Sequence, residues 1–265
     1  MYRTMTAFEA AILDVDGTIV RGEQLIPGAI DGLRALEAAG MDRVLFSNNP
    51  TRGATHYETK LERHGIDIPP EAVLTSAVVS AEFLRSNHPD DPVFLVGDER
   101  LKSLLEEYEL EITQNPDESG VVLGSFDREF SYGTIWESLR ALKGSTPFYG
   151  TDPDATIPTD EGEIPGSGSI LAAMEAVAGR KPDAILGKPS ETAVEAAMGR
   201  LEAPPERTLV VGDRLDTDIA LGKRAGMETA VVLTGVTRRS DIESASIEPE
   251  YVLESIGALE ELLAE

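Results

Sequence analysis

The chain has 265 residues, enough for one large domain or two. Its formal charge of 23 − 48 = −25 and pI near 4.4 argue against nucleic acid and anionic membranes as partners, because both select basic patches. Its lack of cysteine excludes disulfides and thiol catalysis.

Among the 23 basic residues, 17 are Arg and 6 are Lys. Acids spread along the whole chain, with little Lys, fit a halophilic protein whose self-repulsion is screened by salt. Refolding yield against KCl concentration tests this, and equal stability without salt rejects it.

The stretch from Met1 to Glu9 has no apolar targeting core, and no apolar run reaches membrane-spanning length, so a cytoplasmic location is expected. Next, Ala10-Ala11-Ile12-Leu13-Asp14-Val15-Asp16-Gly17-Thr18 is an apolar run ending in two carboxylates and a turn, which predicts a buried strand with Asp14 at its carboxyl end. Open α/β sheets place their chemistry there. Two carboxylates this close require a cation between them, or one keeps a proton. A hard divalent ion suits oxygen donors, and one carboxylate is then free to act as nucleophile and the other as acid/base. The structural alternative is a turn that happens to carry two aspartates.

Ile19 to Ile26 read as a hairpin-like insert, and a helix follows from Pro27-Gly28 to Gly40, with Ile30, Leu33, Leu36 and Ala39 at helical spacing. Arg43 to Phe46 form a second strand, ending at Ser47-Asn48-Asn49-Pro50-Thr51-Arg52. A helix stopping at Gly65 and a strand at Ala72 to Ser76 complete an alternation that implies a parallel sheet with right-handed crossovers. Strands at Pro92 to Gly97, Gly120 to Gly124 and Pro147 to Gly150 suggest a second α/β unit inserted over 77–183. The first unit then covers 1–76 and 184–265. Its later strands are Ala184 to Gly187, Thr208 to Gly212, Thr229 to Leu233 and Tyr251 to Leu253.

Four strands thus end at Asp14, Ser47, Lys188 and Asp213, and one parallel sheet would gather these tips along one edge. They offer a nucleophile, a hydroxyl beside free N–H groups, a fixed cation and a further carboxylate. Phosphoryl transfer needs that kind of positioning and charge neutralisation.

Asp14-Val15-Asp16-Gly17-Thr18, Ser47-Asn48-Asn49, Gly187-Lys188-Pro189 and Gly212-Asp213 with Asp218 resemble, in order and spacing, the four motifs of the haloacid-dehalogenase-like (HAD) phosphatases. The insert, with Thr151-Asp152-Pro153-Asp154 followed by Pro158, Gly162 and Pro165-Gly166-Ser167-Gly168-Ser169, resembles the class IIA cap of the NagD and p-nitrophenylphosphatase branch. The resemblance spans nearly the whole chain and implies a HAD-like Rossmannoid parallel-sheet core with an inserted α/β cap.

It further implies a Mg²⁺-dependent phosphatase for a small phosphorylated metabolite. Asp14 would form an aspartyl-phosphate, and Asp16 would protonate the leaving oxygen and then activate water. Ser47 would hold a phosphoryl oxygen and Lys188 would neutralise charge. Asn48, Asn49, Thr151 and Asp152 would contribute to substrate binding. Asp14, the backbone carbonyl of Asp16, and Asp213 would bind Mg²⁺, with Asp218 supporting the shell from behind. Retention of Asp16 points to phosphate-ester chemistry rather than dehalogenation, and hydrolysis ranks above mutase chemistry. A homodimer through the cap is also implied. Position 152 is Asp where the family commonly has Asn, which fits the general acidic drift of the chain.

Other features have plainer readings. His56, His64 and His88 lack metal-ligand spacing and are expected on surface helices. Trp136, Leu139 and Leu142 are expected in the cap core. Gly168-Ser169 is read as a turn whose serine caps a helix. The acids Glu106, Glu107, Glu109 and Glu111 are expected on a solvated face, and Asp216 in solvent. Two other functions compete: a phosphoaspartate receiver, which a long-lived phosphoaspartate would support, and an inactive binding protein on the same fold, which a colour assay with and without EDTA would separate.

Overall fold

Strand β1 (Ala10–Leu13) is fully buried, as its unbroken apolar run requires, and has a parallel partner on each side. In the computed structural model, which describes residues 8–159 and 162–264, it lies inside a six-stranded sheet. After the short hairpin of β2 (Val20–Arg21) and β3 (Gln24–Leu25), this sheet takes in β4 (Asp42–Ser47) and β5 (Val73–Thr75). Beyond the insert come β13 (Thr208–Gly212), β14 (Glu228–Val232) and β15 (Tyr251–Leu253), giving the order β15-β14-β13-β1-β4-β5. Ala10 pairs with Thr208 on one side and Asp42 on the other.

Helices Ala29–Ala38 and Leu259–Ala264 pack Leu33, Leu36, Leu259 and Leu262 into one apolar cluster with Leu13, Leu45 and Val211. Gly32 allows that approach, since a Cβ there would lie 2.4 Å from the Ile256 carbonyl oxygen.

The chain divides into two compact units. The first comprises residues 1–47, 54–74 and 193–265; the second comprises residues 48–53 and 75–192. In the second, a five-stranded parallel sheet contains β6 (Val93–Val96), β7 (Ile112–Thr113), β8 (Val121–Gly124), β9 (Phe148–Gly150) and β12 (Ala184–Ile185), ordered β12-β9-β8-β6-β7. A hairpin of β10 (Thr156–Thr159) and β11 (Gly162–Pro165) belongs to the same unit. Phe94, Val122, Phe148, Leu171 and Met174 form its core.

Several expectations are corrected. β12, the strand before Lys188, pairs with β9 in the inserted sheet, so the four strand tips do not share one sheet edge; Asp14, Ser47 and Asp213 do. The second compact unit ends at Thr192. Helix Tyr132–Ala141 buries Ala141, and Leu142 beyond it, but leaves Trp136 60 % and Leu139 46 % exposed, so its apolar spacing does not mark a core face. His88 is mostly enclosed, with its ring nitrogens 2.8 Å from Asp91 Oδ2 and 3.1 Å from the Tyr149 hydroxyl. Helix Ser167–Ala178 begins before Gly168, so Ser169 does not cap it and instead donates to the Ala155 carbonyl. The stretch 1–9 read for targeting lies outside the described residues through 7. Among the described residues, no helix is long and apolar enough to cross a membrane.

Candidate active site

Asp14 follows β1 immediately, and its N–H continues the ladder to the Val211 carbonyl at 2.8 Å. That bond holds it beside Asp213, which follows β13 in the same way. Asp218 is carried by the wide π-helical turn Leu215–Ile219, a form often found at functional sites. One carboxylate oxygen from each of Asp14, Asp213 and Asp218 lies within 4.8 Å of the others, and all three residues are buried. Buried carboxylates this close repel strongly, and a divalent cation held by hard oxygen donors relieves the repulsion. The donor set therefore fits such an ion.

Each acid is fixed by its surroundings. Thr18 donates its hydroxyl to Asp14 Oδ2 at 3.2 Å. The Val236 N–H donates to Asp213 Oδ2 at 2.6 Å, and the Arg214 N–H to Asp218 Oδ2 at 3.1 Å. Gly17, at φ +102°, and Gly235 leave room for Asp213: Cβ atoms there would lie 2.5 and 1.8 Å from its Oδ2. The Thr234 hydroxyl ties the two glycine loops by donating to the Gly17 carbonyl at 2.7 Å. Residues 234–237 had no signal beyond a Thr-Gly turn after a strand.

Asp16 stands apart from the three acids, with its carboxylate half exposed. Its Oδ2 accepts from the Ser47 hydroxyl at 3.2 Å and from the Tyr57 hydroxyl at 2.9 Å, and its Oδ1 lies 3.6 Å from Lys60 Nζ. Tyr57, Lys60 and Leu61 form the buried face of helix Ala54–Glu62. A lysine on the apolar face of a helix was the signal available in the sequence for this contact.

In the second unit, Lys188 is buried and its loop is clasped by Asn48. The Asn48 side-chain amide donates to the Lys188 carbonyl at 3.0 Å, and its Oδ1 accepts from the Lys188 N–H at 2.8 Å. Asn49 Oδ1 accepts from the Thr51 N–H at 2.9 Å, closing the turn after β4. Thr151 and Asp152 are buried at the end of β9, where Asp152 Oδ2 accepts from Ser167 at 2.6 Å and Thr151 at 2.9 Å. Burial, with Asp154 adding negative charge, pushes the Asp152 carboxyl up to about 7. Asp216 is exposed and pairs only locally with Arg214 among the described contacts.

The chain matches the family model described as haloacid dehalogenase-like hydrolase over residues 11–111, and a second HAD-hydrolase-like model over 185–259. It is 32 % identical to the dihydroxyacetone phosphatase of Corynebacterium glutamicum, over 96 % of this chain and 92 % of that one. The chain belongs to the haloacid-dehalogenase-like hydrolases. Within this family it is NagD-like. The structure of p-nitrophenyl phosphatase from Archaeoglobus fulgidus superposes with a TM-score of 0.91 at 32 % identity, covering 97 % of this chain and 100 % of that one. NagD from Escherichia coli K-12 superposes with a TM-score of 0.84 at 29 % identity, covering 95 % and 98 %. Its similarity to these phosphatases places the chain among phosphoric monoester hydrolases.

Proposed function

We propose that this HAD phosphatase hydrolyses small phosphomonoesters with Mg²⁺, through an aspartyl-phosphate on Asp14. The buried trio Asp14, Asp213 and Asp218 carries the reading, because it supplies hard oxygen donors beside a carboxylate placed to attack phosphorus. Asp14 and Asp213, with the Asp16 backbone carbonyl, would hold Mg²⁺, and Asp218 would brace or complete the set. Bound there, the ion would neutralise phosphoryl charge and orient the transferring group.

Asp14 attacks phosphorus while Asp16 gives a proton to the ester oxygen as the P–O bond breaks. Asp16 then takes a proton from the water that cleaves the acyl phosphate, which releases phosphate, frees the Asp14 carboxylate and returns Asp16 to its protonated form. Ser47 holds a phosphoryl oxygen, Lys188 supplies a second fixed positive charge, and Asn48 keeps Lys188 in place through its main chain. Asn49, Thr151 and Asp152 belong to the substrate-facing set. The relatives named for dihydroxyacetone phosphate and p-nitrophenyl phosphate support a short, polar or aromatic alcohol as the leaving group.

The test is Asp14→Asn assayed with p-nitrophenyl phosphate, with and without EDTA. Turnover should vanish in the variant and in chelator while the circular dichroism spectrum is unchanged; retained turnover rejects the mechanism. We further propose that the protein pairs through its cap, where Tyr132, Trp136 and Leu139 are 85, 60 and 46 % exposed on one helix. Trp136→Glu should turn a dimer into a monomer in light scattering; a monomeric parent rejects the pairing.

A further inference from the structure

We infer that Tyr57, backed by Lys60, is a positioning residue that holds Asp16 ready for proton transfer to the leaving oxygen. This rests on the proposed role of Asp16 as acid and extends it to two residues outside the four motifs.

Tyr57 is anchored by its body. The residue is 1 % exposed and belongs to the apolar cluster that includes Leu61 and Leu45. A ring fixed this way has little freedom to turn, so its hydroxyl is a fixed point rather than a mobile donor. That hydroxyl donates to Asp16 Oδ2 at 2.9 Å and lies 2.9 Å from Ser47 Oγ. Ser47 itself reaches Asp16 Oδ2 at 3.2 Å. The Ser47 and Tyr57 hydroxyls therefore meet on one carboxylate oxygen. If Ser47 turns to a phosphoryl oxygen, Tyr57 still holds Asp16 Oδ2.

Asp16 depends on this support because half of its carboxylate faces solvent and its main chain lies beyond the end of β1. An unheld aspartate there would sample several rotamers, and proton transfer requires hydrogen-bond reach to one atom. Lys60 gives the second half of the cradle. Its side chain is only 8 % exposed, its ammonium lies 5.7 Å from the Tyr57 ring centroid, and it is 3.6 Å from Asp16 Oδ1. As the ester bond breaks, the proton passes from the Asp16 carboxyl to the departing oxygen, and the carboxylate left behind faces the Lys60 cation and the Tyr57 hydroxyl. Both favour that charge as it develops.

The experiment uses the full chain and compares leaving groups. Alkyl phosphates expel a basic alkoxide that needs the proton, whereas p-nitrophenolate leaves without much help. Tyr57→Phe removes only the hydroxyl and keeps the packed ring. It should lower kcat/KM for an alkyl phosphate such as glycerol phosphate about tenfold or more, and for p-nitrophenyl phosphate less than about threefold, with KM for both little changed. Lys60→Met should move the same ratio in the same direction, and Lys60→Arg should restore it. An equal loss for both esters, a loss carried by KM, or no loss overturns the inference. Asp14→Asn, run alongside, separates the two readings: it abolishes both esters if the mechanism holds, and surviving turnover there rejects the mechanism itself. Thermal melts of each variant confirm that the compared proteins are folded.

Discussion

The two units end a strand with nearly the same words. In the first, Val210-Val211-Gly212-Asp213 closes β13; in the second, Leu95-Val96-Gly97-Asp98 closes β6. Asp213 is buried beside two other carboxylates. Asp98 caps helix Glu99–Glu107, accepts from the Arg100 N–H at 2.9 Å, and forms an ion pair with the same arginine that holds its carboxyl below the usual range. A parallel sheet offers any strand tip as a chemical position, but the neighbouring tips decide whether the acid is neutralised locally or gathered with other carboxylates.

Exchanging the two acids' fates is the largest test of this contrast. Asp213→Asn should cut kcat/KM by about a hundredfold or more and raise the Mg²⁺ concentration for half-maximal rate, as seen in metal titrations of the initial rate. Next comes the space around the acid. Gly235→Ala places a methyl 1.8 Å from Asp213 Oδ2, so the carboxylate must move; activity should fall about tenfold with a weaker response to Mg²⁺. Gly97→Ala, where the nearest atom is a Leu95 methyl at 3.0 Å, should leave both within about threefold.

The third test concerns the buried acid of the second unit. The Asp152 carboxyl sits near 7 in the fold against 3.8 as its ordinary value, so the folded chain binds the extra proton between those limits. Its contribution to stability is full below about pH 4 and is lost as the pH rises towards 7, by up to about 4 kcal/mol. Asp152→Asn should therefore gain stability over the parent between pH 4 and 8 in denaturant titrations, and a constant difference refutes the assignment. The smallest effect is expected at Asp98→Ala, which removes a helix cap: about 1 kcal/mol of stability, with p-nitrophenyl phosphate turnover at 25 °C nearly intact.

What could be read from the sequence follows how locally each feature is encoded. The run before Asp14, the Ser47 turn and the Gly212-Asp213 pair announced themselves, because a buried strand ended by a polar turn is a local pattern. The placement of β12 was not legible: two residues pair wherever tertiary contacts allow, and here β9 took them. Helical spacing at Trp136 and Leu139 showed a stripe without showing what covers it. Tyr57 and Lys60 carry no local signal for this role, because their partner Asp16 lies more than forty residues away in the chain. Asp152 reads in the sequence as acidic drift, whereas its burial, with Asp154 adding negative charge, raises its carboxyl to about 7 against the lowering pull of the Ser167 and Thr151 hydroxyls.

The position of β1 has a consequence for biosynthesis. Asp42, one neighbour of Ala10, follows it closely in the chain, but the other, Thr208, is translated only after every strand of the inserted unit. During synthesis on the ribosome, the edge of β1 that carries Asp14 towards Asp213 can therefore gain its native partner only once that late segment has emerged.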